Sequence, residues 1–218
     1  MKSGHLTVRA GTVLLAQEST PDTTSAGPYT LYDGWAMRYR QLTDGRRQIY
    51  DFLLPGDLFG LQAAALETSR HAVVTITSAT VCALHGRPLR DLIDTVPDLA
   101  MAAFGHLTVE ERRADARLEV VAKLEAPQRV GYLMLEISDR LTRRRLTTGR
   151  TCPFPLQKQQ IGDALGISRN YVRISLEMLE REGLARIAGR RLTIFDRPRL
   201  EAFVGEPLPP PPHQEVLI

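Results

Sequence analysis

The N-terminal half of the chain alternates between hydrophobic and polar positions. The alternation is clearest over residues 29–42 and 48–53, which are rich in aromatic and β-branched side chains. It predicts strands with one buried face. Asp44-Gly45 between these segments predicts a hairpin turn with positive φ at both positions. Pro55-Gly56-Asp57 predicts another turn, and residues 73–77 and 80–84 predict two more strands. Short strands at this spacing predict an antiparallel sandwich or barrel over residues 1–97.

The hydrophobic pattern changes to a helical period after Pro97. Residues 98–125 predict one long helix, and six positions along it follow a spacing of four and three: Leu107, Glu111, Ala114, Leu118, Val121 and Glu125. This spacing favours contact with the same helix of a second subunit, through Leu107, Ala114, Leu118 and Val121. Packing of the helix on its own domain is the alternative. We expect a homodimer.

The remaining chain predicts a small helical domain over residues 126–204. Ala126-Pro127 starts a helix, because proline is well tolerated in the first helical turn. Its apolar face is Val130, Leu133, Met134, Ile137 and Leu141. A loop at 147–155, helices at 156–165 and 168–182, and a hairpin of 184–187 with 191–195 follow. Residues 205–218 predict a proline-rich, disordered tail.

Two short helices joined by a glycine-containing turn and followed by a basic hairpin predict a winged helix-turn-helix. Gly162 leaves room for the second helix to approach the first. Ser168 is suited to cap the second helix with its hydroxyl. The predicted core-facing residues of the two helices are Ile161, Leu165, Val172, Leu176 and Leu179.

The polar face of the second helix predicts contacts with double-stranded DNA. Arginine binds guanine, asparagine binds adenine, and an apolar side chain contacts the thymine methyl group. The predicted base-contacting residues are Arg169, Asn170, Arg173 and Ile174. The predicted phosphate-contacting residues lie at the helix starts and the hairpin tip: Gln157, Lys158, Gln159, Ser168, Arg190 and Arg191. Phosphate contacts position a protein without specifying sequence.

Charge and composition agree with a DNA partner and with a cytoplasmic location. Residues 125–204 carry 15 basic and 9 acidic side chains, whereas residues 1–124 carry 13 and 14. Since 25 of the 28 basic residues are arginine, codon usage is an alternative source of this excess. The sequence has neither a signal peptide nor an apolar run of the ~18 residues that a membrane span needs. We therefore expect no membrane partner.

The whole chain, over about residues 6–204, resembles the Crp/Fnr family of bacterial transcription regulators. The similar segments are Gly34–Tyr39, Asp44–Ile49, Phe52–Gly60 and Gln160–Arg169. The resemblance implies an α+β fold: an N-terminal antiparallel β-roll (a double-stranded β-helix or jelly roll), a long dimerisation helix and a C-terminal winged helix-turn-helix. It also implies near-palindromic operators, with RNA polymerase as a candidate further partner.

The candidate effector pocket departs from the family pattern. The resemblance places it at Gly60, Leu61, Arg70, His71 and Asp115. Members that bind cyclic nucleotides have a glutamate at the position of Leu61 for the ribose hydroxyls, and Arg-Ser where this chain has Arg70-His71. Ala114-Asp115 replaces a Thr-Ser pair of the cyclic AMP receptor. Unpaired ribose hydroxyls would cost roughly 1–3 kcal/mol each. We therefore expect that cyclic AMP is not the effector.

Other functions find less support in the sequence. Two cysteines, Cys82 and Cys152, cannot hold a four-thiolate iron–sulfur cluster. His85 or Cys82 could ligate haem, but a lone residue of either type in a strand usually belongs to the core. No metal site, cofactor or catalytic residue is predicted, and an enzyme, including a cupin-like one, is disfavoured. The alternative is a ligand- or partner-binding module without selective DNA binding. The effector, whether a small molecule or none, the operator, and the choice between activation and repression stay open.

Overall fold

The computed structural model of the protein describes residues 4–18, 28–66, 68–83, 94–95 and 97–205, without the side chains of residues 97 and 99. The chain divides after Glu111 into two compact units. His85 and the proline-rich segment 206–218 lie outside the described residues, as do the predictions made for them. Among the described helices, none combines the length and the apolar character needed to cross a membrane.

The first unit contains two antiparallel sheets that enclose one hydrophobic core. Its strands are β1 (Gly4–Val8), β2 (Val13–Leu15), β3 (Tyr29–Asp33), β4 (Ala36–Gln41), β5 (Arg47–Leu53), β6 (Leu58–Phe59), β7 (Ala72–Thr75) and β8 (Ala79–Ala83). The strand orders are β1-β8-β3-β6 and β2-β7-β4-β5. Both sheets contribute to the core, for example through Leu31 and Val81 from one and Leu53 and Val73 from the other. The predicted antiparallel β-roll is confirmed.

The alternating segment over residues 29–42 is divided between two strands. The segment forms β3 and β4, which belong to different sheets. Gly34 lies between them with φ of 89°. A Cβ atom on Gly34 would lie 2.4 Å from the carbonyl oxygen of Ser78. The chain therefore bends at a residue that tolerates both the positive φ and the close approach.

The hairpin predicted at Asp44-Gly45 joins β4 to β5, but its turn differs from the predicted one. Gly45 has φ of 82°, whereas Asp44 is not among the residues with positive φ. The Gly45 amide donates to the carbonyl of Leu42, and the Leu42 amide donates to the carbonyl of Arg46. The turn is therefore of the longer kind that ends in a left-handed glycine.

A short helix and a tight turn complete the first unit. The helix α1 (Leu61–Leu66) follows β6 directly and was missed by the sequence analysis. The predicted turn at Pro55-Gly56-Asp57 is present, with φ of 92° at Gly56. The Asp57 carboxylate accepts a hydrogen bond from the Leu54 amide at 2.6 Å, which closes the turn.

The long helix and the second unit contain the predicted helices and hairpin in their predicted order, together with two elements that were not predicted. The elements are α2 (Pro97–Lys123), α3 (Ala126–Arg143), β9 (Thr151–Pro153), α4 (Lys158–Leu165), α5 (Arg169–Arg181), β10 (Ala185–Ala188), β11 (Arg191–Ile194) and α6 (Arg197–Val204). The predicted apolar face of α3 is buried at all five positions. It packs against α4, α5 and α6 within the second unit.

Three predictions for the second unit need correction. The loop predicted at 147–155 contains β9, which pairs with β11 and extends the hairpin to a three-stranded sheet. Helix α6 was missed, although Asp196 caps it by accepting from the Arg199 amide at 3.1 Å. On α5 the buried positions are Val172, Ser175 and Leu179, and Leu176 is only half-buried.

Candidate nucleic-acid interface

The turn between α4 and α5 fixes the geometry of the helix pair. Gly166 ends α4 in the left-handed conformation, with φ of 67°. A Cβ atom on Gly162 would lie 2.5 Å from the carbonyl oxygen of Ile167. The Ile167 amide donates to the carbonyl of Gly162 at 3.2 Å. Two glycines therefore allow the close approach that the helix-turn-helix requires.

Ser168 caps α5 as predicted. Its hydroxyl accepts a hydrogen bond from the Tyr171 amide at 3.2 Å. Such a cap typically stabilises a helix by about 1 kcal/mol. Ser168 stands at the N-terminus of α5. This is the positive end of the helix dipole, where a phosphate group binds favourably.

The four predicted base-contacting residues lie on one exposed face of α5. Arg169, Asn170, Arg173 and Ile174 all have exposed side chains. Tyr171, between them, is 60 % exposed and was missed by the sequence analysis. An exposed phenol beside two arginines on a helix start would have been a usable signal, because tyrosine also donates to phosphate oxygens.

Arg173 is held by two neighbours on the same helix. Its Nη1 donates to both carboxylate oxygens of Glu177, at 2.7 and 2.8 Å. Its Nε and Nη2 donate to the Oδ1 of Asn170, at 3.3 and 3.2 Å. Arg173 and Asn170 thus form one hydrogen-bonded group on the exposed face.

The predicted phosphate-contacting residues at the start of α4 have different surroundings. Gln157 and Gln160 form a reciprocal cap, in which the Gln160 side chain accepts from the Gln157 amide at 2.8 Å. Gln159 donates to Asp163 at 2.7 Å. Lys158 is exposed. Since the oxygen of Gln157 is engaged by the backbone amide of Gln160, its carboxamide nitrogen is the group that can donate to a phosphate.

The other predicted phosphate contacts lie at the tip of the three-stranded sheet. Gly189 and Arg190 form a two-residue turn in which both have positive φ, 56° and 62°. This turn matches the twist of a tight hairpin. The side chains of Arg190 and Arg191 are exposed. The carbonyl of Arg190 accepts from the Phe154 amide at 2.8 Å, which holds the tip in place.

The candidate effector residues of the first unit lie at the start of α1 and just before β7. Gly60 is buried with φ of 85°, and Leu61 after it is half-buried. Arg70 is exposed. Burial, together with the nearby charge of Arg38, lowers the pKa of His71 to about 4. The imidazole is therefore neutral at pH 7 and offers no positive charge to a phosphate group.

Arg38 was missed by the sequence analysis. Its Nη2 lies 2.9 Å from the Oε2 of Glu110 on α2, and both side chains are largely buried. The guanidinium thus brings one positive charge near His71 and pairs it with a carboxylate of the same unit. The pairing is tertiary, between residues 72 positions apart, and no local pattern indicates it.

The long helix α2 carries an exposed apolar face. Leu107, Leu118 and Val121 are 52 %, 70 % and 38 % exposed, and Ala114 is also exposed. Met101 and Phe104, 71 % and 67 % exposed, were missed by the sequence analysis; Phe104 continues the spacing, and Met101 lies one position off it. Asp115 is exposed on the same helix. Several large exposed apolar side chains on one helix favour an interaction surface.

Within the second unit, a buried ion-pair cluster connects α2 to α3. Glu136 on α3 accepts from Arg117 at 2.9 Å and from Arg113 at 3.4 Å, both on α2. Arg140 on α3 lies 3.6 Å from the same carboxylate. The C-terminal part of α2 is thereby tied to the first helix of the winged domain.

An exposed, capped helix after a tight glycine turn, beside a basic hairpin, defines a winged helix-turn-helix protein that binds DNA. Comparison with known proteins agrees with this class. Residues 5–96 match the family model "Cyclic nucleotide-binding domain" and residues 128–203 match "Crp-like helix-turn-helix domain".

Individual relatives extend the match over most of the chain. The chain is 30 % identical over 177 residues to the "Transcriptional activatory protein AadR" of Rhodopseudomonas palustris, covering 81 % of this chain and 73 % of the relative. It is 29 % identical over 180 residues to the "Nitrogen fixation regulation protein FixK" of Bradyrhizobium diazoefficiens, covering 81 % and 73 %. The solved structure of FixK2 from Bradyrhizobium japonicum superposes with a TM-score of 0.81 at 25 % identity, covering 93 % and 97 %.

The chain belongs to the Crp/Fnr family, and it is a DNA-binding transcription regulator of that type. Members of this family are transcription regulators rather than enzymes.

Proposed function

We propose that the protein acts as a homodimer that binds a near-palindromic operator through the exposed face of α5. The observation that carries the proposal is the exposure of Arg169, Asn170, Arg173 and Ile174 on the N-terminal half of that capped helix. This half of a recognition helix enters the major groove. Two copies of α5 in a dimer would contact half-sites about one helical turn apart.

The apolar face of α2 supports the homodimer. A lone helix that exposes Met101, Phe104, Leu107, Leu118 and Val121 leaves a large apolar area in water. Burying apolar area is worth about 25 cal/mol per Å². A second copy of the same helix would cover this face, because the four-three spacing places its side chains along one edge.

Within each half-site, we assign base contacts to Arg169, Asn170, Arg173 and Ile174, and phosphate contacts to the α4 start and the hairpin tip. The division follows from position: α5 points its exposed side chains outward from the turn, whereas Lys158, Arg190 and Arg191 lie at a helix start and a turn tip. Phosphate contacts of this kind fix the register of the protein on the duplex.

Two relatives suggest the direction of regulation. AadR and the "Transcriptional activator protein anr" of Pseudomonas aeruginosa carry activation in their names. We propose that this protein also activates transcription, with RNA polymerase as a further partner. Because DNA is its partner, we also propose the cytoplasm as its place of action.

For the first unit, we propose that cyclic AMP is not the effector, and that no haem or iron–sulfur cluster is bound. Leu61 gives the ribose hydroxyls no partner, so the charge of Arg70 would have to hold the nucleotide without help at the ribose. Polar ligand groups that lose water without gaining partners weaken binding. Control by protein abundance, or by a less polar effector, is compatible with these residues.

Selection from a random-sequence duplex library tests the proposed function, with native mass spectrometry of the protein and of its complex. We expect a dimer that enriches duplexes with inverted half-sites. Failure to enrich any sequence would refute selective DNA binding and favour the ligand- or partner-binding module. A monomeric mass, or enrichment of single half-sites, would refute the dimer. A retained small molecule would identify the effector.

A further inference from the structure

The hydrogen bonds between Arg173 and Asn170 on α5 occupy the acceptor oxygen of Asn170. The Oδ1 of Asn170 accepts from both Nε and Nη2 of Arg173, and a carboxamide oxygen has two lone pairs. Both are thereby occupied, so Asn170 keeps only the two N–H groups of its Nδ2. Arg173 accepts nothing, and of its five N–H groups those on Nε and Nη1 and one on Nη2 face Asn170 and Glu177, which leaves the second N–H of Nη2 for a base. The exposed surface of the pair therefore presents donors alone.

A protein surface that offers only hydrogen-bond donors distinguishes guanine from adenine. In the major groove, guanine presents two acceptors, N7 and O6, whereas adenine presents the N7 acceptor and the N6 amino donor. Asparagine binds adenine when its Oδ1 is available to accept from N6. Here that oxygen is engaged by Arg173, and an N6 amino group would face further donors. Guanine satisfies the pair, and adenine does not.

Glu177 sets this arrangement from one turn further along α5. Its two carboxylate oxygens receive Nη1 of Arg173 at 2.7 and 2.8 Å. The guanidinium is thus held between Glu177 on one side and Asn170 on the other. Exposed pairs of this kind add at most about 1 kcal/mol to stability. The effect of Glu177 is therefore expected in base preference rather than in folding.

We propose that Glu177 is a specificity-determining positioning residue, which holds Arg173 against Asn170 so that the pair selects guanine over adenine. The proposal rests on the proposed function, namely that α5 contacts bases. It revises the sequence-based expectation that Asn170 binds adenine. Glu177 itself acts through Arg173 and not by touching a base.

The variants Glu177→Gln and Glu177→Ala test the proposal, and Glu180→Gln is the matched control. Glu180 lies on the same helix, is exposed, and pairs with Arg186 outside the Asn170 group. Both Gln variants remove one negative charge from α5, so both should raise affinity for all duplexes by a similar electrostatic factor. Glu177→Ala removes the acceptor and releases Arg173 and Asn170, whereas Glu177→Gln keeps one amide oxygen and only weakens the hold on Arg173.

The probes are the duplex that the wild-type protein selects from a random library and its guanine-to-adenine variants at each half-site position. For the wild type, we expect one position at which adenine weakens binding by about tenfold or more. Glu177→Ala should reduce that ratio to near one, and Arg173 released towards phosphate in this variant should steepen the salt dependence by about one unit. Glu177→Gln should lower the ratio in part. Glu180→Gln should keep the wild-type ratio and slope. Thermal unfolding should be nearly unchanged in all three variants.

The outcomes separate this inference from the proposed function. A wild-type protein that selects no duplex refutes the proposed function and this inference with it. A selective wild type whose Glu177 variants keep the guanine preference refutes only the role of Glu177. A wild type that prefers adenine at the position lost in Asn170→Ala would also overturn the inference, because the Oδ1 would then be available to the base.

Discussion

The two units of the protein resemble the Crp/Fnr pattern to different extents. The comparison concerns two kinds of residue: those that shape the backbone and those that would contact a ligand. In the winged domain, the residues that shape the backbone, such as Gly162 and Ser168, are accompanied by exposed arginines that suit DNA. In the β-roll, Gly56 and Gly60 shape the turns in the same way, yet by the family resemblance Leu61 and His71 stand where nucleotide-binding members have a glutamate and a serine. The fold of a sensor domain and its ligand are therefore separate inferences.

The physical reason is that the backbone conformation and the bound ligand restrict the residue type at different positions. A turn with φ of 92° at Gly56, or a carbonyl 2.5 Å from a Cβ on Gly162, restricts the residue type wherever the fold is used. A half-buried side chain such as Leu61 tolerates exchange, because only the bound ligand requires a carboxylate there. The first kind of residue reports the fold, and the second reports the function.

The largest expected effect is on the dimer. Leu118→Asp combined with Val121→Asp places two carboxylates on the exposed apolar face of α2. We expect monomers, and a loss of about a thousandfold in affinity for the selected duplex, towards the non-specific level. Sedimentation velocity and a DNA titration on the same preparation measure both.

Lys123→Asp is the control for this variant. It changes the net charge by the same two units, and its side chain is exposed beside rather than on the apolar face. We expect it to remain dimeric. A double variant that stays dimeric would show that the subunits associate through a different surface.

The sequence predicted those features that depend on neighbours along the chain. The helical period of Val130 to Leu141, the Ser168 cap and the turn glycines are local, and the structure contains all of them. Features that depend on distant partners were missed. Strand β9 has only three residues and exists because it pairs with β11, and the bend at Gly34 exists because Ser78 lies against it.

The features of the candidate sites can be divided in the same way, into local features that the sequence predicted and contacts that it did not. The exposed face of α5 was predictable, because it follows from the cap and the helical period. The engagement of Asn170 by Arg173, and of Arg38 by Glu110, was not, since each depends on rotamers or on tertiary contacts. A residue type at the right position on a helix therefore predicts exposure, while its hydrogen-bonding capacity needs the structure.

A second prediction distinguishes the two kinds of DNA contact within the winged domain. Arg169→Ala should cost about 1–3 kcal/mol on the selected duplex and relax preference at one base position. Lys158→Ala should weaken binding to all sequences and lower the salt slope by about one. Titrations on selected and random duplexes at several salt concentrations measure both, and equal losses on both duplexes for Arg169→Ala would contradict its assignment to bases.

A third and smaller effect concerns the cap of α5. Ser168→Ala removes the acceptor of the Tyr171 amide and should lower the free energy of unfolding by about 1 kcal/mol. Ser168→Asn, another good capping residue, should retain most of that stability. Chemical denaturation of the three proteins checks this prediction. An unchanged midpoint in Ser168→Ala would mean that the turn at Gly166 alone fixes the start of the helix.

The smallest expected effect is that of cyclic AMP on the wild-type protein, for which we expect no binding at micromolar concentration and no change in DNA affinity. The variant Leu61→Glu tests why the wild-type protein does not bind cyclic AMP. A carboxylate at this half-buried position can accept hydrogen bonds from the ribose hydroxyls and should raise cyclic AMP affinity by about tenfold. Gln62→Glu adds the same charge at the exposed neighbouring position and should have no such effect. Calorimetric titration of the three proteins measures the affinities, and micromolar binding by the wild type, with a gain in operator affinity, would show that Leu61 does not exclude the nucleotide.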